Sequence, residues 1–196
     1  MEGNYCGNWS SNGESLEIQK ENKIFTCTLS RNNIGIMFEN DLVVSEFDAD
    51  TKTAGIGVYS QIGDGSSIYA LWSSNNIKGQ LGSGIALKCD NSTGYVGDYN
   101  VQYFIGNQER GSFLVKINKT ENEKIYKLFW FLENKNVLHG IGFLIGDSLA
   151  FAWGNIECKF DFNKFCYCVD NREERLVRQT VKWDSDKIEN IDYIRC

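Results

Sequence analysis

The chain has 196 residues, a length that suits one large domain or two small ones. Hydrophobic residues make up 42% and charged residues 23%, which excludes the low-hydrophobicity composition of a disordered chain. The net charge of -6, with both signs mixed along the chain, provides no basic stripe for nucleic acid, and no apolar run is long enough for a membrane helix. Neither nucleic acid nor a membrane is therefore an expected partner.

Eight short segments of the first half alternate apolar and polar residues with the period of a β-strand. Clusters of Gly, Asn, Asp and Ser, which favour tight turns, separate them. The predicted strands are 5–10, 15–19, 24–30, 33–39, 41–47, 55–61, 67–73 and 82–88. Helical periodicity is sustained almost nowhere, so the sequence predicts an all-β protein.

The second half repeats this order of strands. The matched segments are 7–9 with 97–99, 15–18 with 114–117, 23–25 with 124–126, 34–42 with 141–149, 69–72 with 180–183 and 85–88 with 192–195. The match of 34–42 is the strongest and needs no gap, whereas the last two are weaker. A polar loop at 88–95 separates the copies, so we predict two domains, 1–90 and 91–196, each a β-barrel repeat.

An eight-stranded meander can close on itself, and closure removes the exposed edges that would otherwise promote aggregation. The predicted fold class is therefore all-β, with two tandem eight-stranded antiparallel up-and-down β-barrels. Gly55-x-Gly57 and Gly82-x-Gly84 lack the strand-to-helix context of a phosphate loop. We interpret these glycines as kinks or bulges that let a small barrel curve.

The opening Gly7-x-Trp9, at the start of a strand that leads such a meander, resembles the calycin group of lipocalins, fatty-acid-binding proteins and avidins. The segment 7–15 is most similar to the first strand and turn of avidins. The patterns at 126–130, 140–142 and 149–154 are similar to those of bacterial proteins with tandem avidin-like barrels. The resemblance implies barrels of the avidin or lipocalin type.

The same resemblance implies candidate ligand contacts. Ser11 and Ser15 would occupy positions where avidins place hydrogen-bond donors to the ureido group of biotin. Trp9 and Trp72 are the aromatic residues that we group with them. The remaining aromatic walls and the late acidic residue of avidins have no counterpart in this sequence, so biotin is not the expected ligand.

Aromatic residues crowd the middle of the second half. Phe129 and Phe131 share one face of a predicted strand and Trp130 takes the other, because side chains alternate along a strand. Inward-facing rings would fill a barrel core, whereas outward-facing rings would form a contact surface. We assign Phe129, Phe131, Trp130 and Trp153 as candidate interface residues.

No catalytic or metal-binding residues are assigned. The single histidine, His139, excludes any mechanism that needs two imidazoles. Cys166-x-Cys168 differs in spacing from the knuckles of structural zinc sites, so neither a metal nor a cofactor is expected. Seven scattered cysteines favour reduced thiols and a cytoplasmic protein, although three glycosylation triplets leave secretion as the alternative.

Two functions remain for a chain that we expect not to be an enzyme. The preferred one is a structural or interaction protein whose tandem barrels form a rigid assembly module, through a protein partner or self-association. The alternative is a calycin-like protein that binds a small hydrophobic ligand at a barrel mouth.

Overall fold

The computed structural model describes residues 5–28, 31–77, 79–170, 172–185 and 187–196. This part of the chain contains sixteen β-strands and no helix that could span a membrane. In the first half, the strand bounds agree with the predicted ones to within three residues, and residues 29 and 30 of the predicted strand 24–30 lie outside the described residues. The strands are β1 (Gly7–Ser11), β2 (Glu14–Glu21), β3 (Ile24–Cys27), β4 (Asn32–Phe38), β5 (Asp41–Phe47), β6 (Ala54–Ile62), β7 (Ser67–Ser74), β8 (Gly82–Lys88), β9 (Gly97–Ile105), β10 (Gln108–Lys119), β11 (Ile125–Leu132), β12 (Lys135–Ile145), β13 (Ser148–Asn155), β14 (Phe160–Asp170), β15 (Glu173–Lys182) and β16 (Ile188–Arg195).

The strands form two closed barrels of eight antiparallel strands each. One barrel is the continuous meander β6–β13, closed by pairing of β13 with β6; we call it the inserted barrel. The other, the split barrel, joins β1–β5 to β14–β16 and is closed by pairing of β16 with β1. The predicted fold class, an all-β protein with two closed up-and-down barrels, is confirmed.

The two barrels do not coincide with the predicted domains 1–90 and 91–196. Strand β5 pairs with β14 and not with β6, so the chain leaves the split barrel after Phe47 and returns to it at Phe160. This pairing corrects the predicted division of the chain. Local strand patterns fix the order of hairpins, but they do not determine which strand closes each sheet.

The two halves nevertheless correspond strand by strand. Hairpin β4–β5 turns between Phe38 and Asp41, and hairpin β12–β13 turns at the matched positions 145 and 148. The first turn residues, Glu39 and Gly146, have φ of 52° and 54°. Each barrel thus takes five strands from one half and three from the other, which is the strand exchange of a domain swap within a single chain.

One of the weaker sequence matches is out of register. The match of 69–72 with 180–183 places Trp72 against Trp183, but Trp72 faces into the inserted barrel whereas Trp183 packs between the barrels. The match of 85–88 with 192–195 keeps the facing, since Ala86 and Tyr193 both lie in barrel interiors.

A shared apolar layer, which we call the seam, joins the barrels. It is built from outward-facing side chains of both, and Ile24 and Ile125, which the sequence match pairs, both belong to it. Burial of each such side chain contributes about 1.5–3 kcal/mol. Other fully buried members are Ile36, Val43, Ile56, Ile141, Ala150, Ala152, Phe160, Phe162 and Val181.

The split barrel is filled by its own side chains. Trp9, Phe25, Phe165 and Tyr193 are at most 1% exposed and pack in its interior. Trp9 also donates a hydrogen bond from Nε1 to the backbone oxygen of Tyr5, at 3.1 Å. These large buried rings therefore fill the end of the split barrel at which they lie, which is its apolar end.

Candidate ligand-binding site

A pocket at the open end of the split barrel is lined largely by charged side chains. The inserted barrel contains a cavity of about 390 Å³ that is lined mainly by aromatic and other apolar side chains. We call it the aromatic cavity. Its mouth lies where β7 ends and β6 begins, beside Thr53, Ser74 and Asn76. The wall residues are Tyr59, Trp72, Tyr103, Phe113, Trp130, Leu138, Phe151 and Trp153.

The opposite end of the barrel is closed by Tyr95. Its hydroxyl donates to the backbone oxygen of Asp147 at 2.7 Å and accepts from the Gln61 amide at 3.2 Å. Tyr95 is only 5% exposed, so these contacts close this end of the barrel.

Inward-facing glycines give the aromatic rings their space. A Cβ atom on Gly57 would lie 2.5 Å from the Phe151 ring, and one on Gly82 would lie 2.1 Å from Trp72. Atoms that are not bonded cannot approach so closely. The rings therefore occupy the volume that the side chain of any other residue at Gly57 or Gly82 would need. The glycines let rings lie flat against neighbouring strands and leave the barrel centre open.

This role differs from the predicted one. The pairing of β6 and of β8 with their neighbours shows no register shift at Gly55, Gly57, Gly82 or Gly84. Of the two predicted roles, kinks or bulges, the bulge is therefore wrong, and the kink stays a prediction. Their function in the fold is to accommodate aromatic side chains across the strand.

A chain of hydrogen bonds runs along the cavity wall. Trp130 donates from Nε1 to the Tyr103 hydroxyl at 2.7 Å, and the hydroxyls of Tyr103 and Tyr59 are bonded to each other. Burial raises the pKa of Tyr103 to about 12 and raises the pKa of Tyr59 well above its usual value. Both hydroxyls therefore keep their protons at neutral pH.

One donor hydrogen in this series of hydrogen bonds has no acceptor among the described residues. Trp130, Tyr103 and Tyr59 carry one donor hydrogen each, and the two bonds between them use two of the three. Among the described residues, no acceptor takes the remaining hydroxyl hydrogen. Since both tyrosines line the cavity, this hydrogen is available to a ligand acceptor.

Arg110 is the only charged residue that lines the cavity in the described part of the chain. Strand alternation would turn it outward, on the face of Ser112 and Leu114. The register of β10 against β9 shifts between Glu109 and Gly111, however, so Arg110 is the extra residue of a β-bulge. The bulge places Arg110 at the mouth, and no described carboxylate lies in ion-pair distance of it.

The four predicted ligand contacts do not come together. Trp72 lines the aromatic cavity, but Trp9 is fully buried in the split barrel. Ser11 shares the inward face of β1 with Trp9 and is half-buried, whereas Ser15 is exposed and pairs with Ser10. Of this set, the structure places only Trp72 in the candidate site.

The predicted interface residues divide between two faces. Trp130 and Trp153 face inward and line the cavity, which corrects their assignment to an outer contact surface. Phe129 faces outward and its ring centroid lies 5.9 Å from that of Trp183. Phe131 lies on the outer face, in a groove that Ile85 and Leu87 also line.

The sequence analysis assigned to a site neither the polar groups Tyr59, Tyr103 and Arg110 nor the wall residues Phe113, Leu138 and Phe151. Tyr59 and Tyr103 belong to different halves, so only the strand exchange brings them into one barrel. Alternating glycines beside aromatic strands were the signal that an interior was left open. No sequence signal marks the bulge at Arg110 apart from Gly111 next to it.

The open end of the split barrel is occupied by paired charges. Glu46 accepts from Arg178 at 3.0 Å and from Arg31 at 3.5 Å, and its side chain is only 4% exposed. Arg31 also pairs with Asp161, and Arg178 donates to Asn163 at 2.8 Å. Both guanidiniums are therefore committed to protein partners.

The remaining candidates for chemistry are structural. Among the described residues, no group of three or more His, Cys, Asp or Glu side chains could hold a metal ion. Burial raises the pKa of Cys166 to about 11, and its thiol donates to Asp41 at 3.0 Å, so it is a poor nucleophile. His139 is 4% exposed in the seam, with its ring centroid 4.0 Å from that of Trp183.

Comparisons with known proteins gave no match to this chain, whether with family models, with curated proteins or with solved structures. The geometry of the aromatic cavity is therefore the basis on which a function is inferred.

Proposed function

We propose that this protein binds a small, predominantly aromatic molecule in the cavity of the inserted barrel. The observation that carries the proposal is the pairing of inward glycines with aromatic rings around an open volume of about 390 Å³. Interiors of small barrels are normally filled, since unfilled space costs stability. The volume lies within the range of ligand pockets, about 300–1,000 Å³.

This proposal favours the alternative function predicted from the sequence over the preferred one. The aromatic residues that suggested an outer interface include Trp130 and Trp153, whose position inside the barrel supports ligand binding. The polar groups are few and lie at defined points, as in sites that orient one ligand.

A second candidate is the assembly role that the sequence analysis preferred. It is supported by exposed apolar side chains along the outer groove of the inserted barrel: Ile85 is 51% exposed, Leu87 57% and Leu132 49%, with Phe131 beside them. Such patches serve as contacts for a protein partner or a second copy. A mass in solution that rises with protein concentration would support self-association, and a constant monomer mass would count against it.

The wider assignment follows the same reasoning. We propose a non-enzymatic barrel protein of the avidin-like or calycin type, supported by Gly7-x-Trp9 at the start of an up-and-down barrel. We also propose a cytoplasmic location, for which the seven free cysteines are the support. Protease protection of the endogenous protein in intact cells tests the location.

Titration with the neutral dye N-phenylnaphthylamine tests ligand binding, because its emission rises in an apolar site. We expect saturable binding of one dye per chain. Ile77→Trp, at the half-buried mouth of the cavity, should block it, whereas the matched change Ile156→Trp, on a loop outside the cavity, should not. Equal binding by both variants, or no saturable binding by the natural chain, would contradict the proposal.

A further inference from the structure

We infer that the aromatic cavity selects anionic ligands: flat aromatic molecules that carry a carboxylate, sulfonate or similar group. This inference rests on the proposed function, because it specifies what the cavity takes. It follows from the charge at the mouth, the bulge that creates that charge and the polarity of the wall.

The first step is the charge. Arg110 is exposed at the mouth, and it brings the only formal charge to the described lining, on a chain whose net charge is -6. The other polar side chains at the mouth, including Thr53, Ser74 and Asn76, are neutral. A guanidinium without a carboxylate partner beside an apolar pocket presents a planar set of donors that fits an anionic group in a bidentate manner.

The second step is the bulge. The register of β10 against β9 shifts between Glu109 and Gly111, so that Arg110 has no partner residue on β9. Bulges are common next to functional sites, where they redirect a side chain. Without the shift, Arg110 would point away from the barrel with Ser112, so the local distortion of the strand has one visible result, a cation at the cavity mouth.

The third step is the wall. The hydroxyl hydrogen left over from the Tyr59–Tyr103 pair also needs an acceptor. Burial keeps both hydroxyls protonated, so this position donates to a ligand oxygen and repels no negative charge. Arg110 and the tyrosine pair thus both donate, which matches a ligand rich in acceptors.

The arrangement of the aromatic walls determines the shape of ligand that the cavity can accept. Trp72 stands edge-on to Trp153, with ring centroids 6.4 Å apart, and edge-on to Tyr103 at 5.9 Å. Rings in such angled arrangements leave slots that another flat ring fills by stacking or edge contact. An aromatic body with an anionic group at one end satisfies the wall and the mouth together.

The test uses two dyes that share one ring system. Anilinonaphthalene sulfonate carries a sulfonate and N-phenylnaphthylamine does not. We expect the natural chain to bind the sulfonate dye about tenfold more tightly, the worth of one partly exposed charge-assisted contact. Arg110→Gln should remove this preference and change the affinity for the neutral dye less than about twofold, while Arg110→Lys should retain part of the preference.

Lys135→Gln is the matched control, because Lys135 is an exposed cation at the same end of the barrel but outside the cavity lining. It should leave both affinities unchanged. If the neutral dye binds in the cavity and Arg110→Gln weakens neither dye, the inference is overturned while the proposed function stands. If neither dye binds saturably, the proposed function fails and takes the inference with it.

Discussion

The two barrels share one strand plan, yet charged side chains line the open end of one and aromatic side chains line the cavity of the other. The repeat match that pairs 34–42 with 141–149 continues along the same strands and sets Val44 against Phe151 and Glu46 against Trp153. In the split barrel Glu46 holds two arginines, whereas in the inserted barrel Trp153 lines a cavity. The same backbone position thus supports either an ion-pair network or a ligand wall.

A second matched pair differs in the size of its inward side chains. Tyr193 fills the interior of the split barrel, and its counterpart in the inserted barrel is Ala86. Small residues on inward positions, together with the glycines, leave the inserted barrel open. The comparison indicates that a duplicated scaffold diverged through the size and charge of a few inward side chains, with its hydrogen-bonded ladder kept.

The largest expected effect comes from separating the halves. Expressed alone, fragments 1–90 and 91–196 should fail to form either barrel, because each barrel needs three strands of the other half. When co-expressed, they should associate one to one and recover binding of N-phenylnaphthylamine. Size-exclusion chromatography and circular dichroism are the measurements.

The informative control for this experiment is a second cut in the chain. Fragment 54–155 contains every strand of the inserted barrel and needs no partner strand to close it. If fragments 1–90 and 91–196 each folded stably when expressed alone, the exchange of strands between the repeats would be ruled out.

A smaller effect is expected inside the split barrel. Glu46→Gln should lower the free energy of unfolding by about 3 kcal/mol, because Arg178 would stay buried without its charge partner. Urea unfolding followed by tryptophan fluorescence gives the value. The exposed Glu157→Gln should change stability by less than about 0.5 kcal/mol.

The matched position in the inserted barrel sharpens the comparison. Trp153→Leu should weaken dye binding, whereas Glu46→Gln, once folded, should leave dye binding intact. A loss of dye binding in Glu46→Gln would show that the two barrels are coupled. The ion pairs of the split barrel would then also affect the ligand site of the inserted barrel.

The smallest expected effect concerns pH at the seam that both barrels share. Burial lowers the pKa of His139 below its usual 6.5. The unfolded chain therefore binds a proton more readily than the folded one, and stability is full above pH 6.5 and declines as the pH falls below it. His139→Gln should flatten this slope in denaturant unfolding measured at several pH values; an unchanged slope would assign the pH dependence to carboxylates.

Local features of the chain were predictable because their causes are local. Alternation of side chains located the strands, and polar clusters located the turns. Trp72, a predicted ligand contact, and Trp130 and Trp153, predicted interface residues, all line the cavity. Their facing was wrong for an interface, because alternation gives two faces and does not say which one is the interior.

The sequence by itself determined the two repeats and the eight-stranded plan of each, and its single histidine excludes a mechanism that needs two imidazoles. Only the tertiary structure decided that β5 pairs with β14, because an antiparallel edge accepts any strand of suitable length and register. That choice brings Tyr59 of one half beside Tyr103 of the other, and a one-residue bulge places Arg110 at the mouth of the same cavity. The candidate site is therefore a product of strand exchange between the repeats, which no single segment encodes.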